Sequence, residues 1–217
     1  MNGGSITNSY SVAQLSTAAA QNTGGLVGKL TGGRISFSYN SGAITSTGGG
    51  TAGGLVGVVA NSPVVQNSFY DSTINGGSAA GTAITTANAL TQANYTGFGF
   101  SSSLTGSNPW YSMDGRTRPM LLQEYSTNIY TAHQLQMMQL NTAGNYKLMK
   151  DVNASGTQTS SDVWGRLSGD SKNGWVGITS FTGSLNGQNY AVDALYINQS
   201  STFGGGGLFE NVYGGYI

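Results

Sequence analysis

Apolar residues fall in short runs along this chain. Leu26-Val27, Ile35 to Tyr39 and Ala43-Ile44 are separated by Gly, Asn, Ser and Thr. Runs of this length, bounded by turn formers, predict strands. The glycine frequency and the bias to β-branched and aromatic residues disfavour helix. The runs also recur. Gly24-Gly25-Leu26-Val27-Gly28 returns unchanged as Gly53-Gly54-Leu55-Val56-Gly57. Gly32 to Tyr39 matches Gly3 to Tyr10 at the same spacing. Val65 to Phe69 is a third copy, set one position further on by an insertion around Asn61-Ser62-Pro63. Gly206-Gly207-Leu208-Phe209 opens a fourth copy that runs toward Ile217. Both termini fall inside a repeat, so the chain is expected to be a segment of a longer protein whose targeting signals lie outside it.

A repeat of about 29 residues, holding roughly three short strands, fits one rung of a parallel β-helix, a solenoid. The expected class is therefore all-β. Equivalent residues should stack in ladders about 4.8 Å apart. Leu26, Leu55 and Leu208 form one expected ladder. Ile6, Ile35, Val65 and Ile217 form a second, and Tyr10, Tyr39 and Phe69 an aromatic third whose face is open. A bend inside the strand, at Gly or Ser, would reverse the alternation. The paired glycines before each Leu, Gly24-Gly25 and Gly53-Gly54, are expected to turn the backbone at positive φ and pack close under the next rung, with Gly28 and Gly57 closing each motif.

The expected division is a segment 1–122, with an irregular excursion at 77–109, and a continuing segment 123–217. Ala79 to Ala93 reads as a short helix or a surface excursion. Trp110-Tyr111, the turn at Asp114-Gly115 and Pro119 to Leu122 read as strand, turn and strand. A helix is predicted near 131–141, capped by Asn128 or Thr131. Its partial apolar face is Ala132, Leu135, Met138 and Leu140, and Gln134, Gln136 and Gln139 are mostly polar-side. It should flank the solenoid. Tyr146 to Val152, Phe181 to Leu185 and Tyr190 to Ile197 read as strands, the last two around a turn at Asn186-Gly187. Between them, 153–175 reads as a long polar loop.

Charge narrows the function. Only 7% of residues are charged, net charge is +0 and Cys is 0. No basic stripe is present to neutralise phosphates, so nucleic acid is not an expected partner. No apolar run is long enough for a helical membrane span, and Met1 to Gly4 carries no leader pattern. The eight acidic residues stand at least eight positions apart. Asp162 and Asp193 come nearest to a one-rung spacing. No Gly-x-Ser-x-Gly elbow, phosphate loop or metal-ligand cluster occurs. The chain reads as non-enzymatic, with no catalytic, cofactor or metal residues expected. His133, the single histidine, has no acidic neighbour in sequence and reads as structural. The charge-dense stretch Lys147 to Lys172 offers candidate ligand-binding residues in Trp164, Arg166 and Asp170, with Trp175 just beyond. Exposed tryptophans there would stack on a glycan or a protein; the alternative is that they pack back onto the scaffold. Asn-x-Ser/Thr occurs at Asn94, Asn153 and Asn198.

The pattern Gly-Gly-Leu-Val-Gly followed by Gly-x-Ile-x-x-Ser-Tyr resembles the GLUG motif. That repeat occurs in large bacterial surface and secreted proteins, including filamentous-haemagglutinin-like exoproteins of the two-partner secretion route and some immunoglobulin A1 proteases. Phe181 to Tyr190, Leu195 to Ile197, Asp162 to Gly165 and Asn145 to Leu148 are similar to stretches that accompany such repeats. Trp110 to Leu122 resembles a segment that closes one repeat run. The likeness is weakest over 77–107. The resemblance implies a right-handed β-helix rod within a secreted or cell-surface adhesin, mediating attachment or biofilm-matrix cohesion. Expected partners are a host-cell or matrix glycan or protein and neighbouring rungs, and a strand edge left open at Ile217 predicts end-to-end self-association. A carbohydrate-binding module using 153–175, or the stalk of a larger protease or glycanase, are the alternatives.

Overall fold

A computed structural model describes residues 3–19, 21–167, 172–199 and 206–214. Among the described residues the fold is all-β: mostly strand, 11% helical, with one α-helix. It packs as two compact units. The first is Met1–Gly99 with Ser160–Asp162; the second is Phe100–Thr159 with Val163–Ile217. The division therefore falls at 99/100, whereas the repeat pattern led to an expected boundary after 122.

The first unit contains β1 (Ser5–Thr7), β2 (Tyr10–Ser11), β3 (Leu15–Thr17), β4 (Thr23–Gly24), β5 (Val27–Thr31), β6 (Arg34–Ser36) and β7 (Tyr39–Asn40). It continues with β8 (Ile44–Ser46), β9 (Ala52–Gly53), β10 (Val56–Ala60), β11 (Val64–Gln66), β12 (Phe69–Asp71) and β13 (Thr82–Ile84). Every pairing among them is parallel, and the pairs up to β12 follow the sequence repeat. Ile6 lies opposite Ile35, which lies opposite Val65. Tyr10 pairs with Tyr39 and Tyr39 with Phe69. Val27 pairs with Val56. Stacking like on like places β-branched and aromatic side chains against their own kind, which favours this register over a slipped one. Val27, Leu30, Ile35, Leu55 and Val56 form the core, with Ile6, Leu26, Val65, Tyr70 and Ala80 packed against it.

Ile35 and Tyr39 are both buried although a bend lies between them. The bend is a left-handed residue at Phe37 (φ 50), repeated at Asn8 (φ 46) and Asn67 (φ 45). The expected bend formers were Gly and Ser. Asn takes this conformation readily because its short amide bonds locally; Phe37 takes it at a cost. Just beyond the bend the Ser-aromatic repeat builds a hydrogen-bond ladder. Ser9, Ser38 and Ser68 each donate their hydroxyl to the carbonyl two residues back, at 2.9 Å. Ser38 and Ser68 also accept from the neighbouring rung: Ser9 N–H donates to Ser38 Oγ at 3.2 Å, and Ser38 N–H to Ser68 Oγ at 3.3 Å.

The paired motif glycines pack close on the next repeat, as expected, but without the expected positive φ. Positive φ occurs at Gly3, Gly4, Gly32 and Gly33, the pairs before Ile6 and Ile35, and not at Gly24, Gly25, Gly53 or Gly54. The latter are needed for close approach. A Cβ on Gly25 would run into the Asn40 side chain, one on Gly54 into the Tyr70 ring, and ones on Gly28 and Gly57 into backbone of Asn22 and Gly28. Asn40 uses that space: its Nδ2 donates to Gly54 O at 2.7 Å and Gly42 O at 2.9 Å.

After β12 the rung shortens. Phe69 pairs with Thr82, less than half a repeat further along the chain. Gly54 N–H donates to Gly77 O at 2.7 Å and Ala79 N–H to Val56 O at 2.9 Å, then Thr82 N–H reaches Ser68 O at 2.8 Å. The chain meets β10 only at Val56, then cuts across instead of running past the rest of β10 and β11. Ala80 packs on the core, and Gly81 (φ +101) lies against Leu55. Within 77–109 one strand, Thr82–Ile84, continues the parallel sheet. Two 3-10 turns, Asn88–Leu90 and Gln92–Asn94, lead Tyr95 and Phe98 over the aromatic ladder. Tyr10 and Tyr39 stack at 5.2 Å, while Tyr95 meets Tyr39 at 5.8 Å and Phe69 at 5.2 Å edge-on.

The second unit opens with the hairpin β14 (Trp110–Tyr111) and β15 (Met120–Leu121), antiparallel as the turn at Gly115 (φ 73) predicts. There follow β16 (Asn128–Ile129), α1 (Ala132–Gln136), β17 (Asn145–Leu148) and β18 (Val152–Asn153). The last strands are β19 (Lys172–Gly174), β20 (Ser184–Asn186), β21 (Val192–Asp193) and β22 (Ile197–Gln199). Strands β16, β17 and β20 pair in parallel, as do β18 and β21, while β19 and β22 are antiparallel. The passes here differ in length from those of the first unit. Ile129 faces Leu148 after a shorter pass. Tyr146 faces Leu185 and Val152 faces Val192 after longer ones. Ile178, which bridges Phe209, comes back close to the original repeat. The strands beside Asn186-Gly187 do not pair with each other. Leu208 lies in this unit, its carbonyl accepting Ile178 N–H at 3.1 Å, so the Leu26–Leu55 pair of the first unit has its own partners. Ile217 lies outside the described residues.

Candidate functional site

The four candidate binding residues sort themselves by burial. Trp164 is 1% exposed and Trp175 0%. Neither can serve as a surface stacking platform; both pack back into the second unit. Arg166 is half-buried, and Asp170 lies outside the described residues. The polar loop is also shorter than expected. Within 153–175 a 3-10 turn occupies Ser155–Gln158, and Thr157 is buried with its Oγ1 accepting Tyr196 N–H at 2.9 Å.

What the sequence reading missed is Gln136. Thr131 caps α1, its hydroxyl accepting Gln134 N–H, and Met137–Leu140 continues as a 3-10 turn. Asn128 lies in β16 instead. Leu135, Met137 and Met138 are fully buried, and so is Gln136, which was expected on the polar face. Its amide behaves as one more peptide unit. Nε2 donates to Val176 O at 2.8 Å, and Oε1 accepts Val176 N–H at 3.1 Å and Trp164 Nε1–H at 2.9 Å. Gln139 repeats the device one turn on, accepting Thr179 N–H at 2.9 Å. A glutamine amide has the donor and acceptor needed to replace a missing strand neighbour. The only trace in sequence is that Gln136 precedes Val176 by the same interval as Gln139 precedes Thr179, a match invisible until the length of that pass is known.

Around this amide the aromatics close up. Trp164 and Trp175 rings lie 6.2 Å apart, and Trp175 Nε1–H donates to Leu208 O at 3.1 Å. The His133 ring packs 5.4 Å from Trp164, and its Nδ1 lies 3.4 Å from Glu124 Oε2. The fold thus gives His133 the acidic neighbour that its sequence surroundings lack. Arg166 stacks over Tyr196 at 4.5 Å and donates from its guanidinium to Gln158 O at 3.2 Å, clamping its own segment. Tyr146 donates to Asn141 O at 2.7 Å and meets the Tyr125 hydroxyl at 3.0 Å. Burial first, and the Tyr125 hydrogen bond second, push the Tyr146 phenol far up. Burial alone pushes Tyr111 up to about 12.

Asp71 is buried, accepting from Thr86 Oγ1 at 2.7 Å and Thr73 N–H at 2.9 Å, a fold-holding arrangement. Asp162 counts with the first unit, while Asp193 is exposed in the second opposite Asn153. Among the described residues no group of three His, Cys, Asp or Glu could hold a metal ion, and no helix is long and apolar enough to cross a membrane. The arrangement in each unit is that of a packed scaffold built mainly on parallel strands. No family model matches the chain, and neither a curated protein nor a solved structure matches it.

Proposed function

We propose that this chain is a right-handed parallel β-helix segment acting as a structural rod of a large secreted or surface-attached bacterial adhesin, in attachment or matrix cohesion. The observation that carries it is the unbroken parallel register of three sequence repeats, Ile6 to Ile35 to Val65 and Tyr10 to Tyr39 to Phe69. Parallel strands joined by crossovers are right-handed in nearly all proteins. Stacked rungs derive stability mainly from nearest neighbours, which suits a segment repeated along a filament. The likeness to GLUG-repeat, filamentous-haemagglutinin-like proteins supports the same placement: outside the cell, with a host-cell or matrix glycan or protein as partner and no catalytic role. The buried tryptophans weigh against a glycan platform at 153–175. Beads coated with the protein should adhere to host cells or extracellular matrix, or to each other under flow, more than beads coated with an unrelated β-protein. Equal behaviour in all three settings sinks the reading.

A further inference from the structure

In a parallel ladder, alternate residues turn both backbone groups to opposite edges of the strand. Val64 N–H donates to Gly33 O at 2.9 Å, and Gln66 O accepts Phe37 N–H at 3.4 Å. Val64 and Gln66 therefore face β6, and Val65 turns its N–H and C=O to the other edge. Ala60 O accepts Gly32 N–H at 3.1 Å, so Val59 likewise faces away from β5. Among the described residues β10 pairs only with β5, and β11 only with β6. The short pass from Phe69 to Thr82 is what leaves this edge open. It lies inside the chain, between Val58 and Gln66. Val59 is 39% exposed and Val64 47%.

Exposed edges are commonly blocked by charge. Here the stretch from Ala52 to Tyr70 carries none. Pro63, just before β11, is the single interruption.

The geometry points to a strand-addition site along β10 and β11, filled by an extended, uncharged segment of another chain patterned on Leu30 to Ser36, Leu-Thr-Gly-Gly-x-Ile-Ser with an uncharged residue in place of Arg34. The occupant follows from the ladder. Strand β6, at the end of the full pattern Leu30 to Ser36, already takes a parallel strand on each edge in one register, β1 with Ile6 and β11 with Val65. The next position beyond Ile6, Ile35 and Val65 calls for a β-branched residue, and paired glycines before it negotiate the corner. Past that point β13 already covers β12, so the added strand ends before the Ser-aromatic pair. Main-chain bonds give affinity in this mode and alternate side chains give specificity. The site stands on the pairings of the first unit and not on the adhesive role.

The test uses the full chain and a synthetic peptide, Leu-Thr-Gly-Gly-Ser-Ile-Ser, followed by amide hydrogen exchange. Saturating peptide should slow exchange at Val65 and Val59 by about tenfold or more. Val65→Pro removes a donor that faces only outward, and Val64→Lys puts a charge on the edge; each should weaken peptide binding by about tenfold or more. Should Val65→Pro disturb folding, as read by circular dichroism, Val64→Lys decides alone. Unchanged exchange at Val65 in millimolar peptide overturns the proposal. So does equal binding of a peptide with Asp in place of Ile, or unaltered affinity in folded Val64→Lys. A dimer of this chain formed through the same edge without peptide also overturns it.

Discussion

Ser38 sits at the middle of the hydroxyl ladder, fully buried, donating within its own rung and accepting from the next. Removing its oxygen leaves the Ser9 N–H without its acceptor. Ser38→Ala should cost about 1–3 kcal/mol in urea unfolding. Ser9→Ala, at the ladder's end with only a donor bond to lose, should cost less than about 1 kcal/mol. Tyr111 makes a second prediction. Its phenol titrates at about 12 in the fold against 10.0 in its ordinary state. Between those values the unfolded chain has lost the proton and the folded chain keeps it, so stability is full below pH 10 and falls as pH rises through 12. Tyr111→Phe should flatten that alkaline decline in thermal melts taken between about pH 9 and 12. At this scale the sequence revealed which residues recur. It did not reveal their work: the Ser-Tyr copies read as an aromatic ladder, and the serine bonds appear only once adjacent rungs are in place. The paired motif glycines lack the positive φ expected of them; what they allow is close approach, to the Asn40 and Tyr70 side chains at Gly25 and Gly54 and to backbone at Gly24 and Gly53.

Elements were legible where the chain repeats itself and obscure where it does not. The parallel strands of the first unit align because Gly-Gly-Leu-Val-Gly returns unchanged. The longer passes of the second unit share no such phrase, so their register depended on tertiary contacts. Helix α1 was legible from Thr131 and the Leu135–Met138 spacing. Its burial on two sides was not, because a glutamine acting as a surrogate peptide group looks in sequence like a solvent-facing one. Gln136→Leu keeps the volume roughly and removes the amide, leaving Val176 and the Trp164 indole unpaired. A cost of about 2–5 kcal/mol is expected, from unsatisfied buried groups. Thermal melting measures the loss, and a shift in tryptophan emission should accompany it, since two of the three buried indoles, Trp164 and Trp175, adjoin the site.

For the whole molecule, the low charge content governs behaviour in solution. With 7% charged residues, a net charge of +0 and a pI near 6.5, little long-range repulsion keeps copies apart. Solubility should be lowest near pH 6.5 and rise on either side, as measured by the saturation concentration. Raising ionic strength from about 0.05 to 1 M sodium chloride should move the melting temperature by no more than about 2 °C, because exposed ion pairs contribute little. That insensitivity suits a proposed extracellular role, where salt varies.

The short pass between Phe69 and Thr82 carries a consequence in time. Bringing two strands together across it loses less chain entropy than closing a full rung, by about 0.7 kcal/mol. Pairs of low sequence separation assemble first when other terms are equal. The β12–β13 contact is then the natural seed of the first unit, with later-paired rungs accreting backward onto it from Tyr39 toward Tyr10. Pulse-labelled exchange during refolding should find Thr82 and Phe69 amides protected before those of Ser5 to Thr7. A seed lying inside the chain would let each earlier repeat settle on a finished template, so that the length of the array need not slow its completion.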